Sequence, residues 1–420
     1  MQLNKNKIIG IIGLGYVGLP LMLLVNKKYK VLGFDISEKK IEMLKNKKSY
    51  ISDISDKEIV SIKDENLFLF NENLEQISKC NFLIFCLPTP LKKKYPDMSY
   101  IKRAFNKIYP YLKKNQTIIL ESSVYPGATE EIFLKKLKKK FKLGKNYFLT
   151  YSPERIDPGS PSLIKKLEYR NITKLVSGYT EKCEKKILNL YSSIFKNIYL
   201  CKSIIVAETS KIFENIYRAV NIGLVNEMKI LTDKMKINIH DVVEAAGSKP
   251  FGFKKFSPGP GVGGHCIPID PIFMKWVANK HKHKTKFIDL GAKMNIQITN
   301  WTIQKIISLI KNKKKCLILG VAYKADINDI RESPSIKIFK KLLQIKNIDL
   351  DYYDPYINNF TLNKKVFYSK KVKNYGSYDF SIICTDHSNF DYKKIIKQSK
   401  KIIDTRGVYK DSKLSKIIHL

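Results

Sequence analysis

Gly13-Leu14-Gly15-Tyr16-Val17-Gly18 follows an apolar run, Lys7–Gly13, that reads as a buried strand, and it opens a stretch with the apolar spacing of a helix. In that setting the G-x-G-x-x-G pattern dictates much of a fold. Its small residues let a backbone turn approach a pyrophosphate, and the N–H groups at the helix start point at the anion. Asp35 ends the next predicted strand, Lys30–Asp35. A carboxylate there accepts from both ribose hydroxyls and repels a 2′-phosphate, which favours NAD over NADP. Gly13, Gly15, Tyr16, Val17, Gly18 and Asp35 are the expected cofactor-binding residues of this end of the chain.

The alternation continues beyond the turn. Asn81–Leu87 and Thr117–Glu121 read as further strands, with amphipathic stretches at Tyr100–Leu112 and Thr129–Lys140. Strands alternating with helices predict a parallel sheet covered on both faces. Between Ser203 and Met235 only Gly223 interrupts, and Ile212, Ile216, Ala219, Val220 and Leu224 recur at helical spacing, which predicts a long, largely buried helix. A loop dense in Pro and Gly, Lys249 to Pro271, precedes a helical stretch over residues 272–311. The last hundred residues restart the alternation. Strands are expected at Cys316–Val321, Leu350–Tyr353, Phe380–Cys384 and Lys401–Asp404, and a helix at Ser335–Leu343. The expected fold is α/β: two doubly wound parallel-sheet domains joined by a long central helix. The expected parts are residues 1–200, 201–311 and 312–420.

Several function classes are disfavoured. The apolar run Ile8 to Leu24 is broken by Gly10, Gly13, Gly15, Gly18 and Pro20, too often for a membrane span, and Val25-Asn26-Lys27-Lys28 supplies no signal-peptide cleavage site. A soluble cytoplasmic protein is expected. The seven cysteines are irregularly spaced with no C-x-x-C pair, and the six histidines do not fall at zinc-ligand intervals, so reduced thiols and no metal are expected. The formal net charge of +39 raises a nucleic-acid or membrane-surface partner. Lysines, however, are spread along the whole chain and only six residues are arginine, the side chain on which sequence-specific DNA readers lean. A lysine-rich surface with no nucleic-acid and no membrane partner is the expectation.

Three further motifs carry chemistry. In Gly263-Gly264-His265-Cys266-Ile267-Pro268-Ile269-Asp270-Pro271 the glycines leave room beside a thiol that can attack a carbonyl. A structural cysteine in a tight loop is the plainer reading of that segment alone. Tyr151-Ser152-Pro153-Glu154-Arg155-Ile156-Asp157-Pro158-Gly159 follows a strand, at the end where α/β sheets bind ligands. Glu154 there can position or deprotonate a water; an ion-paired turn is the alternative. In Glu208-Thr209-Ser210-Lys211-Ile212-Phe213-Glu214-Asn215, Lys211 and Asn215 share one helix face and suit an oxyanion or a sugar hydroxyl. A snorkelling lysine is the alternative.

Together these motifs resemble the UDP-glucose/UDP-mannose-type dehydrogenase family over almost the whole chain, from the first glycine turn to Asp404-Thr405-Arg406-Gly407. Within it the chain is most similar to bacterial UDP-N-acetylglucosamine 6-dehydrogenases of surface-polysaccharide synthesis. The narrower match rests on Pro88-Thr89-Pro90-Leu91, Pro96-Asp97-Met98-Ser99-Tyr100, Glu121-Ser122-Ser123-Val124-Tyr125-Pro126-Gly127 and Lys249-Pro250-Phe251-Gly252-Phe253.

The resemblance implies an N-terminal Rossmann-like NAD domain, a central helical dimerisation region and a Rossmann-like C-terminal UDP-binding domain in a homodimer or higher oligomer. It implies Cys266 as nucleophile, Lys211 and Asp270 in oxyanion and proton-transfer roles, Asn215 orienting the reacting group, and Glu154 serving hydrolysis. Thr89, Ser123 and Arg331 would touch NAD. Ser257, Gly259, Gly261, Gly263, Lys324 and Arg406 would contact the UDP-sugar, as would Glu154, Lys211 and Asn215. The family usually has Ser-Thr where this chain has Ser122-Ser123, which keeps the hydroxyl.

By that resemblance Arg155, Arg218, Arg331 and Arg406 all fall within motifs of the family, as expected where a planar fork is needed. Leu319-Gly320-Val321-Ala322-Tyr323-Lys324 lacks the second and third glycines of a dinucleotide loop, so UDP fits there better than a second NAD. The rivals are a UDP-glucose or UDP-N-acetylmannosamine dehydrogenase, a basic nucleic-acid-binding protein on a dinucleotide fold, and a catalytically dead sugar-nucleotide sensor.

Overall fold

The apolar runs read as strands do form strands, in two separate sheets. A computed structural model of the chain describes residues 7–51, 54–155, 169–310 and 314–420. Ile156 to Gly159, the end of the Ser-Pro-Glu-Arg segment, lie outside the described residues. The chain divides into two units, Met1–Glu214 with Ile272–His281, and Asn215–Pro271 with Lys282–Leu420.

The first unit holds strands β1 (Ile8–Ile12), β2 (Lys30–Phe34), β3 (Leu67–Phe70), β4 (Phe82–Phe85), β5 (Thr117–Leu120), β6 (Phe148–Tyr151), β7 (Lys174–Gly178) and β8 (Ile198–Leu200). They form one sheet in the order β8-β7-β6-β5-β4-β1-β2-β3. Ile9 of β1 sits between Val31 and Phe82 of its two parallel neighbours. Both faces of the sheet are covered, which is why its strands read as unbroken apolar runs. One pair departs from the expected parallel sheet: β6 and β7 are antiparallel. The apolar run of β7 sets its burial and says nothing of its direction.

Helix α1 (Gly18–Asn26) buries Leu19, Leu21, Met22 and Val25. They join Ile9, Ile11, Val31 and Ile84 of the sheet, and Ile187, Leu190 and Tyr191 of α2 (Glu181–Tyr191), in one core. Each such side chain contributes roughly 1.5–3 kcal/mol when fully buried. The strand order reverses at β1, and α/β sheets bind ligands outside the carboxyl ends of their strands at such a point.

The predicted long helix is α3 (Ile204–Lys234). It is less buried than its pattern predicts: Ile212, Ile216 and Ala219 are covered, but Tyr217, Leu224, Met228 and Leu231 are exposed. The helical stretch expected over residues 272–311 is two helices, α4 (Asp270–Lys280) and α5 (Lys286–Leu309). The break falls where His281-Lys282-His283-Lys284 offers the core no apolar side chain, and Lys282 takes a left-handed φ of 55°. Helices α3 and α5 approach closely through two glycines, since a Cβ on Gly223 would lie 3.1 Å from the Gly291 carbonyl oxygen.

The second unit carries β9 (Lys314–Leu319), β10 (Ile348–Tyr353), β11 (Phe380–Ile383), β12 (Ile402–Asp404) and β13 (Ile417–His419), all parallel, in the order β10-β9-β11-β12-β13. Helix α6 (Pro334–Leu342) packs Ile338 and Phe339 on Ile318 and Tyr352. The protein is thus an α/β chain of two Rossmann-like sheets joined by a long central helix. No described helix is long and apolar enough to cross a membrane.

Candidate active site

The turn after β1 puts its three glycines to different uses. Gly13 has a φ of 92°, and a Cβ there would lie 2.6 Å from the Cys86 carbonyl oxygen; on Gly18 it would lie 1.9 Å from the Gly13 carbonyl oxygen. A Cβ on Gly15 would meet nothing within 4 Å. The protein's own packing requires the first and third glycines. The second faces open space, where a pyrophosphate needs the backbone to be bare.

Tyr16 and Val17 complete the turn, Val17 as the residue that caps α1. Asp35 holds it from β2: its Oδ2 accepts from Leu14 N at 2.9 Å and its Oδ1 from Ser37 N at 2.9 Å. Lys40 Nζ stands 3.2 Å from the same Oδ2, and the carboxylate is 7% exposed. Oδ2 thus has two donors and Oδ1 one, which leaves Oδ1 a lone pair to offer. The turn and its acid therefore fit a dinucleotide.

Past β4 and β5, the Thr89 hydroxyl donates to the Ser123 carbonyl at 2.7 Å. The Ser122 hydroxyl accepts from Leu87 N at 2.9 Å and donates to Leu87 O at 2.7 Å, tying the two strand ends together. Ser122 is thus a structural tie, and Ser123 is the partly buried member of the pair.

Glu154 lies past the end of β6 and is 7% exposed. Its Oε1 accepts from Arg155 N at 2.6 Å and its Oε2 lies 3.1 Å from Lys174 Nζ. The same ammonium stands 2.6 Å from Glu121 Oε2, and Tyr191 donates its hydroxyl to Glu121 Oε1. Burial pushes the Glu121 carboxyl up to about 7, with Lys174 opposing and Glu154 reinforcing. Burial alone would lower Lys174, but the two carboxylates hold it above the ordinary lysine value. Arg155 uses its planar fork on Glu214, at 2.7 Å from Nη2 and 3.3 Å from Nε.

On α3, Glu208 is fully buried and accepts from Gly127 N at 2.5 Å, Thr129 N at 2.8 Å and the Thr129 hydroxyl at 2.6 Å. Burial pushes it up to about 7 against those donors. Lys211 is 8% exposed, and no hydrogen bond or ion pair joins it to a described residue. A buried amine without a partner is costly unless a ligand supplies one.

In the second unit, Asn215 Nδ2 donates to Asp270 Oδ2 at 2.5 Å, and both side chains are buried. The Cys266 carbonyl accepts from Ile269 N at 3.0 Å and Asp270 N at 2.9 Å, which closes the turn that starts α4. Cys266 is partly buried; the other six cysteines are buried. Beside it, His265 Nε2 is buried with no partner among the described residues. Burial, then the charge of Arg331, pushes His265 down to about 4 against the pull of Asp329, so the imidazole is neutral at pH 7.

The glycines around Cys266 are packed rather than open. A Cβ on Gly259 would lie 2.7 Å from Arg406 Nη1, on Gly261 2.2 Å from the Thr299 hydroxyl, and on Gly263 2.6 Å from Tyr323 Cβ. Arg406 Nε also pairs with Asp386 at 2.9 Å. Arg331 holds Asp329 with Nε and Nη2, at 2.9 and 2.6 Å, and its carbonyl accepts from Gly264 N at 2.8 Å. Lys324 is partly buried and Ser257 exposed.

Lys229, which sequence reasoning did not single out, is buried on α3 with its Nζ 3.3 Å from Thr405 O. Burial and the charge of Arg406 push it down to about 7. Glu121 and Glu208 each head a segment quoted above, but like Lys174 they carry no role there. Only a charged residue at the edge of an apolar run signals Glu121 and Lys174. Among the described residues no group of three His, Cys, Asp or Glu side chains is placed to hold a metal.

Comparison with known proteins places these features in a family setting. Residues 7–198 match the NAD binding domain, 205–297 the central domain and 317–411 the UDP binding domain of the UDP-glucose/GDP-mannose dehydrogenase family. The chain is 32% identical to a UDP-N-acetyl-D-glucosamine 6-dehydrogenase of Pseudomonas aeruginosa over 92% of each chain. It is 33% identical to a UDP-N-acetyl-D-mannosamine dehydrogenase of Methanococcus vannielii, over 96% of this chain and 94% of the relative. The solved structure of a UDP-D-ManNAc dehydrogenase from Pyrococcus horikoshii superposes with a TM-score of 0.86 at 27% identity, over 98% of both chains.

Proposed function

The chain belongs to the UDP-glucose/GDP-mannose dehydrogenase family, NAD-dependent oxidoreductases of nucleotide sugars, and on that premise we propose that it converts UDP-N-acetylglucosamine to UDP-N-acetylglucosaminuronic acid. The observation that carries the reading is the buried Asn215–Asp270 pair beside a partly buried cysteine at a helix start. In this proposal residues 1–200 bind NAD, 201–311 carry the cysteine loop and the dimer contact, and 312–420 bind UDP.

Gly13, Gly15, Tyr16, Val17, Gly18, Asp35, Thr89, Ser123 and Arg331 hold NAD, which when bound supplies the hydride acceptor for both oxidations. Ser257, Gly259, Gly261, Gly263, Lys324 and Arg406 hold the UDP-sugar. The Cys266 thiolate attacks the C6 aldehyde, forming a C–S bond and an oxyanion that Lys211 and Asn215 stabilise. Asp270 takes up the proton that the C6 hydroxyl releases. Oxidation of the thiohemiacetal leaves a thioester on Cys266. Glu154 then takes a proton from the water that attacks the thioester carbon; the C–S bond breaks and sulfur leaves as thiolate. The covalent adduct keeps the aldehyde in the site between the two oxidations.

The exposed apolar side chains Tyr217, Leu224, Met228 and Leu231 of α3 support a homodimer. The reaction serves surface-polysaccharide synthesis in the cytoplasm. A second reading, UDP-N-acetylmannosamine as substrate, draws on the Methanococcus and Pyrococcus relatives.

The test is NADH formation by purified protein with UDP-N-acetylglucosamine, UDP-N-acetylmannosamine, UDP-N-acetylgalactosamine and UDP-glucose. Two NADH per UDP-N-acetylglucosamine, with little from the others, is expected. The same yield from another sugar alone would replace the substrate. Cys266→Ser is expected to stall at the aldehyde or acyl-enzyme stage, and full acid production by that variant would sink the thioester scheme.

A further inference from the structure

Around Glu154 the chain has built more than a lone carboxylate needs. Lys174 Nζ sits between two acids, 2.6 Å from Glu121 and 3.1 Å from Glu154. Glu121 and Lys174 are 0% and 2% exposed, and the Phe195 ring centroid lies 5.2 Å from the ammonium. The acids come from the ends of β5 and β6, the lysine from the start of β7 and Tyr191 from α2, so four elements converge on the cluster. Residues 121, 154, 174 and 191 lie far apart in sequence, and nothing in the reading above assigns Glu121 or Lys174 a part in the reaction.

We propose that Lys174 and Glu121 are positioning residues that set the proton affinity of Glu154 and so govern when the thioester is hydrolysed. The inference rests on the assignment of Glu154 to the hydrolytic water. Lys174 is shared by two buried carboxylates, and a poorly solvated site resists the charge of both at once. A proton accepted by Glu154 from water relieves one of them. Lys174 lies closer to Glu121, so Glu154 holds the smaller share of the ammonium and keeps more of its basicity. Were Glu121 absent, Lys174 would belong to Glu154 alone and weaken it as a base.

Among the described residues, the Cys86 thiol and the Tyr191 hydroxyl also face the cluster. Burial raises the Cys86 thiol well above its ordinary value, and Tyr191 likewise, so both stay protonated. Burial brings Glu121 up to about 7 against the pull of Lys174, so its charge changes near neutral pH.

The experiment follows acid release and first-turnover NADH across pH, with full-length protein, NAD and UDP-N-acetylglucosamine. Glu154→Gln is expected to slow acid release more than NADH formation; acid release at the wild-type rate would overturn the assignment of Glu154, and this inference with it. Given that slowing, the two flanking variants should act in opposite directions. Lys174→Met leaves two carboxylates competing for one proton, so the acidic limb of acid release moves to higher pH and the rate at neutral pH falls roughly tenfold. Glu121→Gln gives Lys174 wholly to Glu154, so the limb moves to lower pH. The double variant returns the limb from the Lys174→Met position toward wild type. Limbs that stay in place, or move the same way in both single variants, would overturn the proposal. Should Lys174→Met fail to fold, Glu121→Gln decides alone: a limb at lower pH supports the inference, and any other result overturns it.

Discussion

Asp35 follows β2 and Asp354 follows β10, and each reaches across to the turn after the neighbouring strand, β1 or β9. Asp35 Oδ2 accepts from Leu14 N; Asp354 Oδ2 accepts from Val321 N at 2.7 Å and Ala322 N at 3.1 Å. Both turns begin with a glycine in the left-handed region, Gly13 at φ 92° and Gly320 at φ 82°. A Cβ on Gly320 would lie 2.5 Å from Thr385 Cβ, as close a fit as Gly13 makes with Cys86.

The two acids then part ways. Asp354 Oδ1 accepts from Tyr356 N and Ile357 N at 2.8 and 3.0 Å, and Oδ2 takes a third partner, His387 Nε2, at 3.1 Å. His387 Nδ1 accepts from Asp326 N at 2.9 Å, so its proton sits on Nε2 and points at Asp354. The Asp354 side chain is fully buried. The same backbone device thus leaves an Asp35 acceptor position and the space above Gly15 open in one domain, and makes a structural joint in the other, where both Asp354 oxygens are used.

Three substitutions test that contrast. Asp354→Asn should cost the most, about 3 kcal/mol or more, because it leaves buried donors facing an amide. Burial opposes the Asp354 charge, but His387 and the backbone donors hold the carboxyl below the ordinary 3.8. Its stabilisation is therefore present above pH 3.8 and is lost as pH falls through the lower folded value. Denaturant titration of wild type and variant should show the gap at neutral pH and its closing in acid; a gap within about 1 kcal/mol at pH 7 would break the comparison.

Gly15→Val comes next. With nothing within 4 Å of the added Cβ, the denaturation midpoint should stay put while KM for NAD rises roughly tenfold or more, a loss of about 1.4 kcal/mol in binding. A drop in the midpoint with unchanged KM would reverse the reading of the open glycine. Asp35→Asn should cost about 1 kcal/mol in folding, less than Asp354→Asn, while the preference for NAD over NADP in steady-state kinetics falls about tenfold. An unchanged preference would remove Asp35 from cofactor choice.

Much of the fold can be read along the chain because burial on both faces of a parallel sheet demands continuous apolar runs. The glycine turn, Asp35 and the cysteine loop were readable for a related reason: their signals lie within a few residues of each other. The remainder depends on partners distant in sequence. Glu121 meets Lys174 across 53 residues, and Asp354 meets His387 across 33. Neither pair leaves a local pattern. The direction of β7 and the exposed apolar face of α3 escape for the same reason, since a hydrophobic pattern records that a side chain needs cover and not what covers it.

Local pattern by itself therefore determined the two sheets, the long helix, the dinucleotide turn and the candidate nucleophile, since backbone geometry and burial period act over a few residues. Tertiary structure alone decided which glycine of each loop is open and which is filled, which aspartate keeps an acceptor position to offer, and that Glu154 shares the Lys174 ammonium with a second buried acid. Those are matters of distance between segments that meet only in the fold, where low solvent exposure makes each charge depend on its neighbours.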